Sequence, residues 1–258
     1  MIDLHNHILP AIDDGSRNID ETIKLLEEAK IAGFDKIIFT PHYKEGVYEA
    51  ENKEKIKLFL EVCQIAEKEI PEIELFLGNE IMATGSVFDY LKKYQAISLN
   101  NMNYVLFEIP MNSTPLVFND IVFELKCQKL IPILAHPERY SYVHKNPEVI
   151  YDWIEMGVLM QQNFGSIIGQ YGKKAQIIAQ QMLKTNSVHF FGSDVHRPNT
   201  VYKNMPRIMN ELKQIIGQEG VEELTVTNPN CVLQNKKINI KQQEKIKLNL
   251  FEKLRMKE

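Results

Sequence analysis

The chain has 258 residues, of which 44% are hydrophobic, 25% charged and 9% aromatic, a globular composition that excludes disorder for most of its length. Thirty Lys and Arg against 34 Asp and Glu leave a net charge of −4, so no basic excess points to nucleic acid. Three widely spaced cysteines exclude a disulfide scaffold and fit a reducing compartment. No leader-like pattern opens the sequence and no apolar run approaches the ~18 residues of a membrane span, so a soluble cytoplasmic protein without membrane insertion is expected.

Short apolar runs alternate with longer helical patterns. Residues 1–5 read as a first strand. Asn18 with Glu21 then forms a variant capping box for a helix whose buried face is Ile19, Ile23, Leu26 and Ala29, closed by Gly33. Residues 36–40 predict the second strand, 51–70 a helix stopped by Pro71, and 73–77 the third strand. Strands follow at 104–108, 131–135, 158–162 and 188–192. Thr114-Pro115 and Asn146-Pro147 each resemble an N-cap followed by proline, and 175–183 and 206–216 predict two further helices. Each strand is nearly all apolar, as in sheets covered on both faces. Seven strand–helix units imply parallel strands with right-handed crossovers, and a barrel rather than an open sheet. No G-x-G-x-x-G follows the first strand, which weighs against a dinucleotide fold. From about residue 218 the character changes, with a turn expected at Asn228-Pro229-Asn230 and a Lys-rich amphipathic stretch at 240–258. The latter is expected as a helix packed outside the barrel, with a partner or membrane-surface helix as the alternative. One domain over 1–258 is expected, with 218–258 as its extension.

Histidines and carboxylates gather at the predicted strand ends. His5 and His7 end the first strand, with Asp13 and Asp14 in the next loop; His42, Glu80, Glu108 and His136 end the following ones, and Asp194 and His196 end the last. In barrels the C-terminal strand ends converge on one mouth. A lone strand-end His is usually structural, but six strand ends with one chemistry are not. Four carboxylates crowded together would repel one another unless cations sat between them. With no Cys among them, a structural zinc site is excluded, and imidazole plus carboxylate suits Mn, Fe or Zn, with Mg at a carboxylate-rich position. The ligands are too many for one ion and suit two or three. Such a cluster can hold a bridging hydroxide at neutral pH, and its excess positive charge would attract an anionic substrate. Arg139, close to His136, is the best candidate to grip the oxygens of an anionic substrate, Arg197 the second and Arg17 a weaker third. Neither Cys63, Cys127 nor Cys231 has an Arg six positions on, which excludes a phosphocysteine route. The glycines of 163–172 allow either close backbone approach to a substrate or a tight turn. Tyr43, Tyr140 and Tyr142 lie near these motifs, where they could stack on a phenyl ring, although rim packing is the expectation, and His144 and His189 are assigned structural places.

The stretches DLHNHILPAIDDG, FTPHY, LGNE, LFEIP, ILAHPERY, QQNFGSIIGQYG and FFGSDVH, in order from residue 3 to 196, resemble the PHP (polymerase and histidinol phosphatase) family. They are most similar to its branch of manganese-dependent tyrosine-protein phosphatases of bacterial capsule and exopolysaccharide loci, the CpsB/CapC type. That resemblance implies a distorted seven-stranded (β/α) barrel, TIM-like, with three ions. One ion would take His5, His7, Glu80 and Asp194. A second would share Glu80 and add Glu108 and His136, and a third would take Asp14, His42 and His196, with Asp13 competing for the place of Asp14. Mn is the implied metal. The implied activity is hydrolysis of phosphotyrosine on proteins, with the tyrosine-rich tail of a membrane-bound kinase as partner; a homo-oligomer is compatible. A small-molecule phosphatase such as histidinol-phosphatase, or a non-catalytic binding module, is the alternative. Two positions depart from the pattern: Ala11 stands where Gly is usual, and Arg197 follows SDVH more closely than the arginine expected there.

Overall fold

Each of the seven apolar segments contains a strand in the computed structural model, which describes residues 1–84, 86–112 and 117–256. The strands are β1 (Ile2–Asp3), β2 (Lys36–Phe39), β3 (His42–Tyr43), β4 (Glu74–Leu77), β5 (Glu80–Met82), β6 (Tyr104–Glu108), β7 (Ile131–Ala135), β8 (Leu159–Asn163) and β9 (Phe190–Gly192). All pairings are parallel, in two sheets ordered β1-β2-β4 and β3-β5-β6-β7-β8-β9. Parallel neighbours need crossovers, and helices supply them. These are α1 (Ile19–Ile31), α2 (Asn52–Glu69), α3 (Val87–Lys92), α4 (Phe118–Cys127), α5 (Ser141–Lys145), α6 (Val149–Glu155), α7 (Phe164–Ile167), α8 (Lys173–Lys184), α9 (Met205–Glu222), α10 (Asn228–Leu233) and α11 (Leu250–Arg255).

Nine described strands replace the seven expected because two segments break. Between β2 and β3, Pro41 has no N–H to give the ladder, and the Thr40 N–H turns instead to Asn6 O at 3.1 Å. Between β4 and β5, the Asn79 side chain donates to Pro41 O at 2.8 Å. The breaks let one sheet end and the next begin, so the parallel sheet curls. The chain after β9 returns beside β1, where Asp194 N donates to His5 O at 2.8 Å and Ser193 N to Asp3 Oδ1 at 2.8 Å.

Inside the curl, Ile2, Ile38, Leu106, Ile133, Leu159 and Phe190 form one apolar cluster closed by Val232 and Leu233 of α10. Each such side chain, fully buried, contributes roughly 1.5–3 kcal/mol. Side chains two apart on a strand share a face. The same face therefore runs from Leu106 to Glu108, and from Leu159 through Gln161 to Asn163. An apolar layer thus passes into a polar one at the C-terminal strand ends, and this change of chemistry places the site.

The local expectations meet mixed outcomes. Asn18 caps α1 by accepting from Glu21 N at 2.9 Å, but the Glu21 carboxylate accepts from Arg17 N rather than completing the box. Asn146 does not cap α6, whose N-cap is Glu148 with no side-chain bond. Thr114-Pro115 lies outside the described residues. The turn expected at Asn228-Pro229-Asn230 is instead the start of α10, since proline in a first turn has no donor to lose. Among the described residues of the 240–258 stretch, only Leu250–Arg255 is helical. Upstream, Ile246 is buried and Glu244 N donates to Thr185 O at 3.0 Å, so that segment packs against the end of α8 instead of coiling.

Candidate metal centre

Glu80, fully buried at the start of β5, lies at the middle of the polar layer. Its Oε2 is 3.2 Å from His5 Nε2, 3.3 Å from His7 Nε2 and 3.0 Å from His42 Nδ1, and its Oε1 is 2.9 Å from His136 Nε2. Glu108 at the end of β6 reaches His42 Nδ1 at 3.3 Å and His136 Nε2 at 3.8 Å. On the other side Asp194 Oδ1 lies 3.4 Å from His7 Nε2, 3.8 Å from His5 Nε2 and 3.6 Å from His196 Nδ1. Asp14 Oδ1 faces His42 Nε2 at 3.7 Å and His196 Nε2 at 3.6 Å. Side chains drawn from residues 5 to 196 therefore meet at one mouth. Three groupings are compact enough for one ion each: His7, Asp14, His42 and His196; His5, His7 and Glu80; His42, Glu80 and Glu108.

Asp13 and Asp14 separate cleanly. Asp13 Oδ2 accepts from His7 Nδ1 at 2.7 Å and from His42 N at 2.8 Å, and its Oδ1 accepts from Gly15 N at 2.9 Å. With His7 Nε2 turned to the cluster, Asp13 fixes the tautomer and direction of that ring from behind. Asp14 projects forward, its side chain 52% exposed. Gln161 Oε1 does for His5 Nδ1 what Asp13 does for His7, at 2.7 Å. Asn163 Nδ2 donates to Asp194 Oδ2 at 2.7 Å. Neither amide was singled out in the sequence, although the i, i+2 spacing on the last turn of an otherwise apolar strand was a signal for both.

The backbone is bent to this purpose. His136 (φ 37) and Asp194 (φ 52) both occupy the left-handed region, which costs a non-glycine residue about 1–3 kcal/mol. Their N–H groups are pinned to Gln161 O at 2.7 Å and His5 O at 2.8 Å. Gly15 is required in the IDDG loop, because a Cβ there would lie 2.0 Å from His7 O.

Burial alone would push the imidazoles down and the acids up, yet the cluster does the reverse. The neighbouring Glu80 and Asp194 charges raise His5, and the Asp13 partnership raises His7 well above its usual value. Burial and the His7 charge oppose protonation of His42, but Glu80 and Glu108 overcome them and lift it to about 10. Glu80 and Asp194 are held well below the carboxylate range by the same imidazoles, against the cost of burial. The His196 imidazole, 3.6 Å away, brings Asp14 down to about 2. The electrostatics around these groups thus favour positive charge, and protons on the ligand atoms would have to leave for a divalent ion to bind. Donor chemistry agrees: Glu80 Oε2 and His42 Nδ1, 3.0 Å apart and buried, make no hydrogen bond of good geometry, and buried His136 Nδ1 makes none. Such buried polar atoms are costly unless something else satisfies them.

The arginines divide. Arg139 reaches the cluster, its Nη1 2.5 Å from Asp194 Oδ2 and its guanidinium 4.3 Å over the Tyr171 ring. Arg197 Nη1 instead donates to the carbonyls of Gly15 and His196, tying together the loops that carry Asp14 and His196. Tyr43 and Tyr140 are buried in the core, and half-buried Tyr142 lies beside Trp153. The aromatic ring at the mouth is Tyr48, stacked on His42 at 5.7 Å. In the 163–172 loop, the single helical turn α7 takes up Phe164–Ile167, and Tyr171 delivers its ring to Arg139. His144 Nε2 donates to Glu138 O at 2.7 Å and His189 Nδ1 accepts from Met160 N at 3.0 Å.

Residues 1–234 match the family model described as "Capsular polysaccharide synthesis, CpsB/CapC". The chain is 32% identical over 238 residues to the tyrosine-protein phosphatase YwqE of Bacillus subtilis, covering 92% of this chain and 93% of that one. It is 29% identical over 244 residues to the tyrosine-protein phosphatase CpsB of Streptococcus agalactiae serotype V, covering 91% and 99%. A chain from the crystal structures of YwqE from Bacillus subtilis and CpsB from Streptococcus pneumoniae, described as metal-dependent tyrosine phosphatases, superposes with a TM-score of 0.89 at 30% identity, covering 96% of this chain and all of that one. A phosphotriesterase homology protein from Escherichia coli, at 12% identity and a TM-score of 0.54, shares the fold alone. The fold, the cluster and the motif-bearing region coincide over the same residues, and the chain belongs to the CpsB/CapC family of capsular polysaccharide synthesis proteins.

Proposed function

We propose that the protein is a metal-dependent protein-tyrosine phosphatase, a phosphoric monoester hydrolase acting on phosphotyrosine in the control of capsular or exopolysaccharide synthesis. The observation that carries the reading is the single mouth at which Glu80 lies within 3.3 Å of four imidazoles and buried polar atoms stand without hydrogen bonds. His5, His7, Glu80 and Asp194 would hold one ion, Glu80, Glu108 and His136 a second, and Asp14, His42 and His196 a third, at the mouth of a distorted barrel. His7 also faces the third group and His42 also faces Glu80 and Glu108, which supports ions close enough to share ligands. Bound divalent ions supply an acidified water and Lewis-acid stabilisation of the phosphoryl oxygens, and we propose Mn as the resident metal.

The chain's own residues do the remainder. Arg139 holds a fixed positive charge beside Asp194, where it grips a phosphoryl oxygen and stabilises the charge of the transition state. Tyr171 beneath its guanidinium keeps it from swinging away. Arg197 is the second arginine of the site, and it acts at least through the loops that carry Asp14 and His196. Asp13 and Gln161 hold His7 and His5 in the tautomer that turns Nε2 inward. Tyr48 gives the mouth an aromatic wall for a phenyl ring. The substrate we propose is a phosphotyrosine protein, the tyrosine-rich tail of a membrane-bound kinase, met in the cytoplasm by one phosphatase domain spanning 1–258 with 218–258 as its extension. Turnover of phosphotyrosine peptides against histidinol phosphate tests it. Faster turnover of the peptide is expected; preference for the metabolite would move the assignment to a small-molecule phosphatase, and no turnover of either with metal bound would leave a binding module.

A further inference from the structure

Between residues 236 and 258 the sequence carries eight basic and three acidic side chains, a net of +5, whereas the rest of the chain carries −9. The segment is anchored from one side. Ile246 is buried, Asn186 Nδ2 donates to Gln242 O at 3.1 Å, and Gln181 Nε2 donates to Glu252 Oε1 at 2.5 Å. The other side is bare: Leu250 is 76% exposed, Phe251 66% and Leu254 53%. These three belong to a helix of six residues, fixed by a full capping box in which Asn249 and Glu252 exchange side-chain and backbone hydrogen bonds. A short helix is thus held in shape while its large apolar side chains face water.

Exposed Lys247, Lys253 and Arg255 surround them, and the Arg255 guanidinium lies 5.2 Å over the Phe251 ring. Beside them runs a groove of about 930 Å³, lined by Leu248, Leu254 and Met256 together with Lys145, Lys247 and Lys253. Apolar tips ringed by long basic side chains are the pattern of an element that lies in a membrane interface, the tips among the acyl chains and the cations at the headgroups. The opposite charge of the remaining chain repels the rest of the molecule from the same surface, so only this face is presented. No described helix is long and apolar enough to cross a bilayer, so any attachment through this helix would be peripheral.

We infer that the face formed by α11 and its flanking lysines docks on an anionic lipid bilayer. The groove is also lined by His144, which donates to Glu138 O in the loop that carries Arg139, so the docking face adjoins the candidate metal centre. The inference stands on charge and exposure and does not rest on the phosphatase reading.

The test is co-sedimentation of the full chain with phosphatidylcholine vesicles and with vesicles containing about one-third phosphatidylglycerol, in low salt and in roughly 0.5 M salt. Binding to the anionic vesicles is expected to exceed that to neutral ones by about tenfold or more, and to fall by a similar factor in high salt. The surface variants Phe251→Ser/Leu254→Ser and Lys247→Glu/Lys253→Glu are each expected to lose it, with far-UV circular dichroism and thermal unfolding unchanged. Equal binding to both lipids, no binding to either, or variants that bind like the parent would overturn the inference. So would sedimentation velocity showing, without lipid, a dimer that Phe251→Ser/Leu254→Ser dissociates, since a second copy would then cover the face.

Discussion

Asp13 and Asp14 are adjacent and alike in charge but face opposite ways, and substituting each by Asn separates a residue that would hold a ligand from one that would be a ligand. The Asp13 side chain is buried and accepts three hydrogen bonds, from His7 Nδ1, His42 N and Gly15 N. Asn keeps two of them with its oxygen toward His7 and His42, but its NH2 then faces the Gly15 N–H. One buried donor is left unsatisfied, a loss of about 1–3 kcal/mol. For a chain of this size that lowers Tm by roughly 2–10 °C, with or without metal. His7 also loses the carboxylate that orients it and raises its basicity, and such losses cost about 10–100-fold in metal affinity. Asp14→Asn removes a half-exposed side chain whose nearest partners are 3.6 and 3.7 Å away, so in chelator its stability stays within about 1 kcal/mol of the parent. Its deficit appears only with metal, as the loss of one equivalent. The assay is thermal unfolding in chelator and in Mn, paired with calorimetric metal titration. Asp13→Asn as stable as Asp14→Asn in chelator, with full metal affinity, would refute the assignment.

Three further outcomes follow from particular residues. Arg139→Ala retains full metal content and lowers kcat on a phosphotyrosine peptide by roughly 10²–10³-fold, with Arg139→Lys intermediate; steady-state kinetics with elemental analysis checks both. Buried His189 is held neutral, its pKa pushed down by desolvation to about 4, so the unfolded chain binds a proton there between pH 6.5 and 4 that the folded chain does not. Stability therefore falls as pH drops through that window by about 3 kcal/mol, and His189→Gln, which keeps an acceptor for Met160 N, should show a correspondingly shallower acid limb in urea titrations. Ala11 sits at φ 56, the left-handed conformation that explains why glycine is usual there, and Ala11→Gly should raise stability by about 0.5–1 kcal/mol in chemical denaturation.

Much of this architecture was legible because apolar runs, helix periodicity and strand-end chemistry are local signals. The strands at 36–39 and 104–108 and the cap at Asn18 are written in adjacent residues. What was not legible depends on partners distant in sequence. Pro41 interrupts the β2–β3 segment only because Asn6 O is there to accept from Thr40 N and the Asn79 side chain to donate to the carbonyl of Pro41 itself. Asp13 and Asp14 cannot be told apart in sequence, since what distinguishes them is which one points back at His7. Tyr171 meets Arg139 through a fold that closes 32 residues of chain, and Arg197 spends its Nη1 on Gly15 O, 182 positions away. The Asn228-Pro229 pair reads as a turn in isolation and becomes a helix start because Val232 and Leu233 close the apolar interior.

The central claim is that side chains from residue 5 to residue 196 jointly cage catalytic cations. Elemental analysis of the purified protein, before and after chelation and Mn add-back, with hydrolysis of a phosphotyrosine peptide followed in the same samples, tests it most directly. The account predicts two or three metal equivalents per chain, activity lost and regained in step with them, and both abolished in Asp194→Asn. Undiminished hydrolysis by metal-free protein, or an Asp194→Asn variant with full metal and full rate, would contradict it.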